Sequence, residues 1–167
     1  MSISDKINRM DAPNGLSQRT LCILLRDNEL LLGYKKVRYG AGKYTGFGGK
    51  LEAGETVRAA AVRELEEECG LRAAIDALDE AGRLTFLFPH HPEWSQQVHV
   101  FRVYEWTGEL VESEEMRPEW FALDAPPYER MWSDAPVCLP RVLKRQPLGL
   151  RFVFKADNET LETVEPE

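Results

Sequence analysis

Two stretches, Gly46-Phe-Gly-Gly-Lys-Leu-Glu-Ala-Gly-Glu55 and Arg63-Glu-Leu-Glu-Glu-Glu-Cys-Gly-Leu71, decide how this chain is read. The second closes a helix expected over residues 57–69, with Gly70 where a C-terminal cap belongs. At about 100° per residue, Glu64, Glu67 and Glu68 stand at i, i+3 and i+4 and share one face. Glu66 points away from them, and Val62, Leu65 and Cys69 form a separate apolar stripe for burial against a sheet. Carboxylates placed like this repel one another by roughly 0.2–0.5 kcal/mol per pair. They also lie toward the helix C-terminus, where the macrodipole disfavours negative charge. A hard divalent cation removes both penalties, and an all-oxygen ligand set selects magnesium, manganese or calcium. An acidic helix face that is merely solvated is the plain alternative for an ExxEE pattern standing alone.

The glycines before the helix argue against that alternative. Gly46, Gly48, Gly49 and Gly54 permit positive φ and close backbone approach, so this loop is expected to fold tightly over the carboxylate face. Gly48 and Gly49 can then offer a carbonyl or an amide to a metal or a phosphate. Arg63 is expected to clamp Glu55 through a bidentate salt bridge that fastens loop to helix.

Residues 49–71 match the pattern G-x5-E-x7-R-E-U-x-E-E-x-G-U, with U aliphatic, at Gly49, Glu55, Arg63, Glu64, Leu65, Glu67, Glu68, Gly70 and Leu71. On these residues the chain resembles the Nudix family. The resemblance implies an α+β fold, an α/β/α sandwich around a mixed β-sheet, and hydrolysis of a nucleoside diphosphate linked to another group. It further implies Mg2+, with Mn2+ as a possible substitute, held by Glu64, Glu67 and Glu68 together with the Gly48 carbonyl.

Outside this box, Leu31-Leu-Gly-Tyr-Lys-Lys, Gly40-Ala-Gly-Lys-Tyr-Thr, Val98-His-Val-Phe, Glu112-Ser-Glu-Glu-Met-Arg-Pro-Glu-Trp-Phe, Met131-Trp132 and the hairpin at 152–163 resemble the animal MutT-homologue branch, whose members clear oxidised purine nucleoside triphosphates. That resemblance implies a base pocket at Phe47, Phe86 and Trp132, with Asp134 for the base edge and Lys35 for phosphate or sugar. Glu115 matches a glutamate near the metal site and is a candidate general base beside Glu67. Two residues depart from the branch: Thr45 stands where it has asparagine, and Ala135 where a second aspartate follows. Threonine brings one hydroxyl in place of a two-ended amide, and alanine brings no polar group. The expected reaction is Mg2+-dependent hydrolysis of 8-oxo-dGTP and similar triphosphates to monophosphate and pyrophosphate. Thr45 and Ala135 keep a second reading open, a pyrophosphatase for a nucleotide sugar, a dinucleoside polyphosphate or an undamaged nucleotide.

The remaining sequence fits a small soluble enzyme. The 167 residues suffice for one domain over 17–167, preceded by a polar arm over 1–16 in which Pro13, Asn14 and Gly15 mark a turn. A net charge of −7 makes nucleic acid polymers and anionic membranes poor partners, whereas a small nucleotide can be bridged by a cation. No obligatory protein partner is evident. Cys22, Cys69 and Cys138 are odd in number and far apart, which suits reduced thiols in the cytoplasm. Strands are expected at 19–25, 29–34, 83–88, 97–106 and 119–123, a second helix at 136–144, and a closing hairpin at 150–156 and 160–164. Residues 35–44 form a basic, glycine-containing loop. His99 lies on an apolar strand and is expected to be structural.

Overall fold

The computed structural model describes residues 15–167. Of the arm expected over 1–16, only Gly15 and Leu16 fall within the described residues, and Leu16 packs on Leu87 and Val153. The strands are β1 (Ser17–Arg26), β2 (Glu29–Lys35), β3 (Tyr44–Thr45), β4 (Leu78–Leu87), β5 (Gln96–Val103), β6 (Met116–Ala122), β7 (Leu150–Phe154) and β8 (Leu161–Pro166). Two α-helices, α1 (Val57–Cys69) and α2 (Ala135–Leu143), accompany them. The strands form one mixed sheet in the order β3-β2-β1-β5-β4-β7-β8, with β6 also pairing with β2. Parallel pairing occurs between β1 and β5 and between β4 and β7; the other ladders are antiparallel.

Period-two alternation sorts the core onto the two faces of this sheet. Along β1, Cys22 and Leu24 face α1 while Ile23 faces α2; along β2, Leu31 faces α1 while Leu30 and Leu32 face α2. The α1 layer closes over Leu65, Cys69, Phe101 and Met116. The α2 layer closes over Phe86, Phe152, Phe154, Leu139 and Val142. The result is the expected α/β/α sandwich. The helix predicted over 57–69 has those bounds, Thr56 caps it by accepting from the Ala59 N–H at 3.1 Å, and Gly70 ends it at φ +80°. No helix among the described residues is long and apolar enough to cross a membrane.

The glycine-rich stretch does more than turn. It lies antiparallel against β1, with Cys22 N–H donating to the Phe47 carbonyl (2.6 Å), Phe47 N–H to the Cys22 carbonyl (3.0 Å) and Thr20 N–H to the Gly49 carbonyl (2.9 Å). A Cβ on Gly48 would come within 1.8 Å of the Thr20 carbonyl oxygen, and one on Gly49 within 2.6 Å of the Glu64 carboxyl. Neither glycine adopts positive φ. Of the two uses expected of them, close approach is therefore the one realised.

One buried charge ties the α2 layer to the sheet. Arg102 on β5 is 5% exposed, and it donates to Asp79 (2.8 Å) and to the Val142 carbonyl at the end of α2 (3.1 Å). A guanidinium is kept there only by such partners, and removing one strands a buried cation. Asp79→Ala should lower unfolding free energy by about 2 kcal/mol, read as a lower urea midpoint at unchanged slope.

Candidate active site

Arg63 is the hub of the loop–helix junction. Its Nε and one terminal nitrogen donate to the two oxygens of Glu55, at 2.6 and 2.9 Å, as the sequence predicts. The other terminal nitrogen donates to Glu64 (3.0 Å) and Glu67 (3.1 Å), and the guanidinium also holds the Lys50 carbonyl (3.2 Å). Glu55 accepts a further bond from the Glu52 N–H at 2.9 Å. These hydrogen bonds, with Arg63 first among them, hold the Glu55 carboxyl down at about 2. Arg63 is itself pushed up, first by its bond to Glu55.

The three glutamates of the shared face occupy different environments. Glu68 is 3% exposed and accepts the Gly48 N–H at 2.7 Å. Burial drives its carboxyl up to about 8; the Gly48 bond and Lys35 oppose the rise, while the charges of Glu64 and Glu115 add to it. Glu64 is also raised, by burial first, with Arg63 opposing and Glu67 and Glu115 reinforcing. Glu67 is exposed to solvent. Among the described residues no set of three such side chains stands close enough to form a ready-made metal cage. Glu64 and Glu67 are turned to Arg63, and Glu68 to Gly48. The donor set nevertheless suits a hard cation: buried, mutually repelling carboxyls regain their charged form when a cation joins them.

Glu115, just before β6, faces the same region. Arg38 lies 2.5 Å and Lys35 3.6 Å from its carboxylate, while Lys36 pairs with Glu112 at 2.9 Å. The basic loop and the acidic loop are thus latched together, and the charge of Glu115 reaches both Glu64 and Glu68.

From Glu68, Gly48 and Lys35 a cavity of about 220 Å³ runs to an apolar end walled by Phe86, Trp132 and Asp134. Thr45 and Ala135 also line it. Phe47 does not: it is fully buried in the α1-side core, on the other face of the sheet. Asp134, 9% exposed, lies at the start of α2 but makes no capping bond; its carboxylate accepts the Cys138 thiol at 3.3 Å. Burial raises the Asp134 carboxyl above its ordinary range. Tyr39, Gln96, Met131 and Cys138 also line the cavity, and the sequence analysis assigned none of them to the base pocket. The aromatic residue Tyr39 in a basic loop was the one available sign. His99 is half-buried and bonds Gln18 at 2.7 Å, which accords with a structural place, and burial lowers its pKa.

The NUDIX domain pattern matches residues 16–142, and the chain belongs to the Nudix family. It is 41% identical over 143 residues to the oxidized purine nucleoside triphosphate hydrolase of Danio rerio, covering 86% of this chain and 90% of that one. The Mus musculus protein of the same name is 41% identical over 142 residues, covering 85% and 88%. Among solved structures, the MutT protein from Bacillus halodurans superposes with a TM-score of 0.76 at 26% identity, covering 90% of this chain and 97% of that one. Nudix hydrolases generally use divalent metal ions.

The Glu55–Arg63 clamp has a pH signature. Because the folded-state pKa of Glu55 lies below its unfolded value, its stabilisation is complete above the ordinary carboxylate range and is lost as pH falls toward about 2. Glu55→Gln should therefore lower Tm at pH 7, with the difference from wild type shrinking steadily between pH 4.5 and pH 2. A pH-independent difference in thermal melts would refute the clamp.

Proposed function

We propose that this protein is a Mg2+-dependent hydrolase of purine nucleoside triphosphates, oxidised ones such as 8-oxo-dGTP foremost, releasing the monophosphate and pyrophosphate. The observation that carries this reading is the single cavity that joins an apolar, aromatic end with a buried carboxyl to the carboxylate face of α1 by way of Lys35. A purine fits the first end, a polyphosphate the second, and the names of the two relatives that share 41% of their residues support the same substrate class.

Glu64, Glu67, Glu68 and the Gly48 carbonyl are the ligands we assign to the cation. Bound there, it supplies charge neutralisation of the diphosphate and lowers the pKa of the attacking water. The protein's own groups do the rest. Arg63 orients Glu64 and Glu67 and is a positioning residue. Lys35, on the cavity wall, meets the phosphates. Phe86 and Trp132 present faces for the base, worth roughly 1–3 kcal/mol per stacked base. Asp134 meets the base edge. Water attacks a phosphorus atom, the P–O bond to the pyrophosphate leaving group breaks, and the water's proton passes to a glutamate.

Two carboxylates can take that proton, Glu67 and Glu115. Glu67 is open to solvent but held by Arg63; Glu115 lies under Lys35 and Arg38 and is free to act once a polyphosphate draws those cations away. A second substrate reading stays attached to a particular observation: Thr45 and Ala135 line the base end with a single hydroxyl between them. A site poor in polar groups discriminates weakly between a damaged base and its parent, which would suit an undamaged nucleotide or another nucleoside diphosphate derivative.

The test is pyrophosphate release from 8-oxo-dGTP, 2-hydroxy-dATP, dGTP and dATP. Turnover should require Mg2+, stop with EDTA, and fall more than about 100-fold in Glu68→Gln. Preference for an oxidised base establishes the sanitising role; turnover without preference leaves a plain triphosphatase; no turnover of any of the four removes this proposal. Glu67→Gln and Glu115→Gln assign the base, since the general base should cost about 10²–10⁴ in kcat and the other residue far less.

A further inference from the structure

The loop between β2 and β3 places an aromatic side chain where the base pocket meets solvent. Tyr39 is flanked on either side by backbone in the left-handed region, Arg38 at φ +66° and Gly40 at φ +89°. The loop is closed on itself by Gly42 N–H to the Lys35 carbonyl (2.8 Å), Ala41 N–H to Arg38 (3.1 Å) and Lys43 N–H to Gly40 (3.1 Å). Tyr39 thereby reaches two indoles at once, with ring centroids 4.6 Å from Trp94 and 5.0 Å from Trp132. Trp132 walls the cavity, and so does Tyr39.

Trp94 does not wall the cavity, and its place needs a different explanation. It ends a short 3-10 turn, Pro92–Trp94, and stacks on His91 at 3.6 Å with an interplanar angle of 15°. Phe88 meets it edge-on at 6.0 Å, and the Trp94 N–H donates to the His91 carbonyl at 3.0 Å. So fixed, it is a brace on the outer side of Tyr39. At its other end the loop is fixed by the Lys36–Glu112 and Arg38–Glu115 ion pairs.

The phenol is the informative part. Among the described residues its oxygen has no hydrogen-bond partner, yet it feels the charges of Glu159 and Asp134. Burial and those two carboxylates push its pKa up to about 12, and, as any phenol is at neutral pH, it is a neutral O–H able to donate and to accept. It belongs to the same cavity as Asp134, in which Thr45 offers one hydroxyl and Ala135 nothing.

We propose that Tyr39 is a specificity-determining residue of the base pocket, its hydroxyl hydrogen-bonding the purine edge alongside Asp134, and that Trp94 is the positioning residue that holds it there. This rests on the reading of the cavity as a purine site. A neutral hydroxyl that can both donate and accept suits an oxidised purine, which carries an added oxygen and an altered donor pattern. Asp134 is buried, so a base that lacks the polar substituent leaves its carboxyl under-satisfied, while the hydroxyl of the exposed Tyr39 adds a hydrogen bond to the base that carries it.

The experiment compares wild type, Tyr39→Phe, Trp94→Ala and Trp94→Phe across 8-oxo-dGTP, 2-hydroxy-dATP, dGTP and dATP. Tyr39→Phe keeps the ring and removes only the hydroxyl. It should narrow the kcat/KM ratio between the preferred oxidised substrate and its parent about tenfold, with Tm held. Trp94→Ala should raise KM several-fold more than it lowers kcat, and Trp94→Phe should restore KM. An unchanged ratio in Tyr39→Phe overturns the proposal, as does a Trp94→Ala enzyme whose KM is that of wild type. If wild type hydrolyses none of the four, the triphosphatase reading fails separately, and quenching of tryptophan fluorescence by free 8-oxoguanosine decides the pocket. Weaker binding by Tyr39→Phe than by wild type supports the proposal; equal binding, or none by wild type, overturns it.

Discussion

The structure turns on the close approach of residues 46–50 to β1. At Gly48 the gap to the Thr20 carbonyl would leave a Cβ only 1.8 Å of room, so that any side chain pushes this segment off the sheet. What the approach achieves lies on the far side of the glycine. The Gly48 N–H is delivered to Glu68 at 2.7 Å, and Gly49 comes so near α1 that the Glu64 carboxyl occupies the space its own Cβ would need. Glu68 is thus held by backbone, while Glu64 packs against Gly49 and is also held by Arg63. A hydrogen bond from a fixed amide orients a carboxylate without adding a competing cation to the site.

Charge arranges the remainder. The carboxyl groups of Glu64, Glu67, Glu68 and Glu115 influence one another, and the protein meets this with unequal means. Arg63 is committed to Glu55 through two bonds and only touches Glu64 and Glu67 at 3.0 and 3.1 Å. Glu55 therefore absorbs most of the guanidinium, while the glutamates on the shared face stay under-neutralised. Lys35, on the cavity wall, and Arg38 are the neighbouring cations, both paired to Glu115. Under-neutralised acids beside transferable cations form a site whose electrostatic needs are met together by a cation and a polyphosphate.

The motif and the helix were legible because both are local. Spacing alone sets which residues of 57–69 share a face, and Thr56 and Gly70 mark its ends with side-chain and backbone chemistry visible in the sequence. Phe47 shows where locality ends. It was expected to wall the base pocket, but it lies directly opposite Cys22 in the antiparallel bridge, and residues opposed in this way project to the same face of a sheet. Cys22 faces α1, so Phe47 does too. That register depends on a contact between segments 25 residues apart in sequence (22 to 47), which no periodicity within either segment reveals. The Asp134–Cys138 pair falls between these cases: i and i+4 on α2 could be read once the helix start was known, yet a thiol as the partner of a buried carboxyl has no sequence signature.

The base end of the cavity shows why residue-by-residue transfer from a family reaches a limit. Transfer placed Phe86, Trp132 and Asp134 on the cavity wall, and it recorded Thr45 and Ala135 as losses. It had no means of recording a gain. Tyr39 comes to this end from the basic loop, and Trp94 reaches Tyr39 from the turn after β4, across segments that share no motif. A pocket's polarity is a property of everything that converges on it, so the departures at Thr45 on β3 and Ala135 on α2 do not by themselves make the site less polar. In the function proposed, diphosphate cleavage and base choice accordingly draw on different parts of the fold. The first depends on backbone contacts between the glycine stretch, β1 and α1, which tolerate almost no substitution. The second depends on side chains that converge from the β2–β3 loop, β3, β4 and the start of α2, among them Tyr39, Thr45, Phe86 and Asp134.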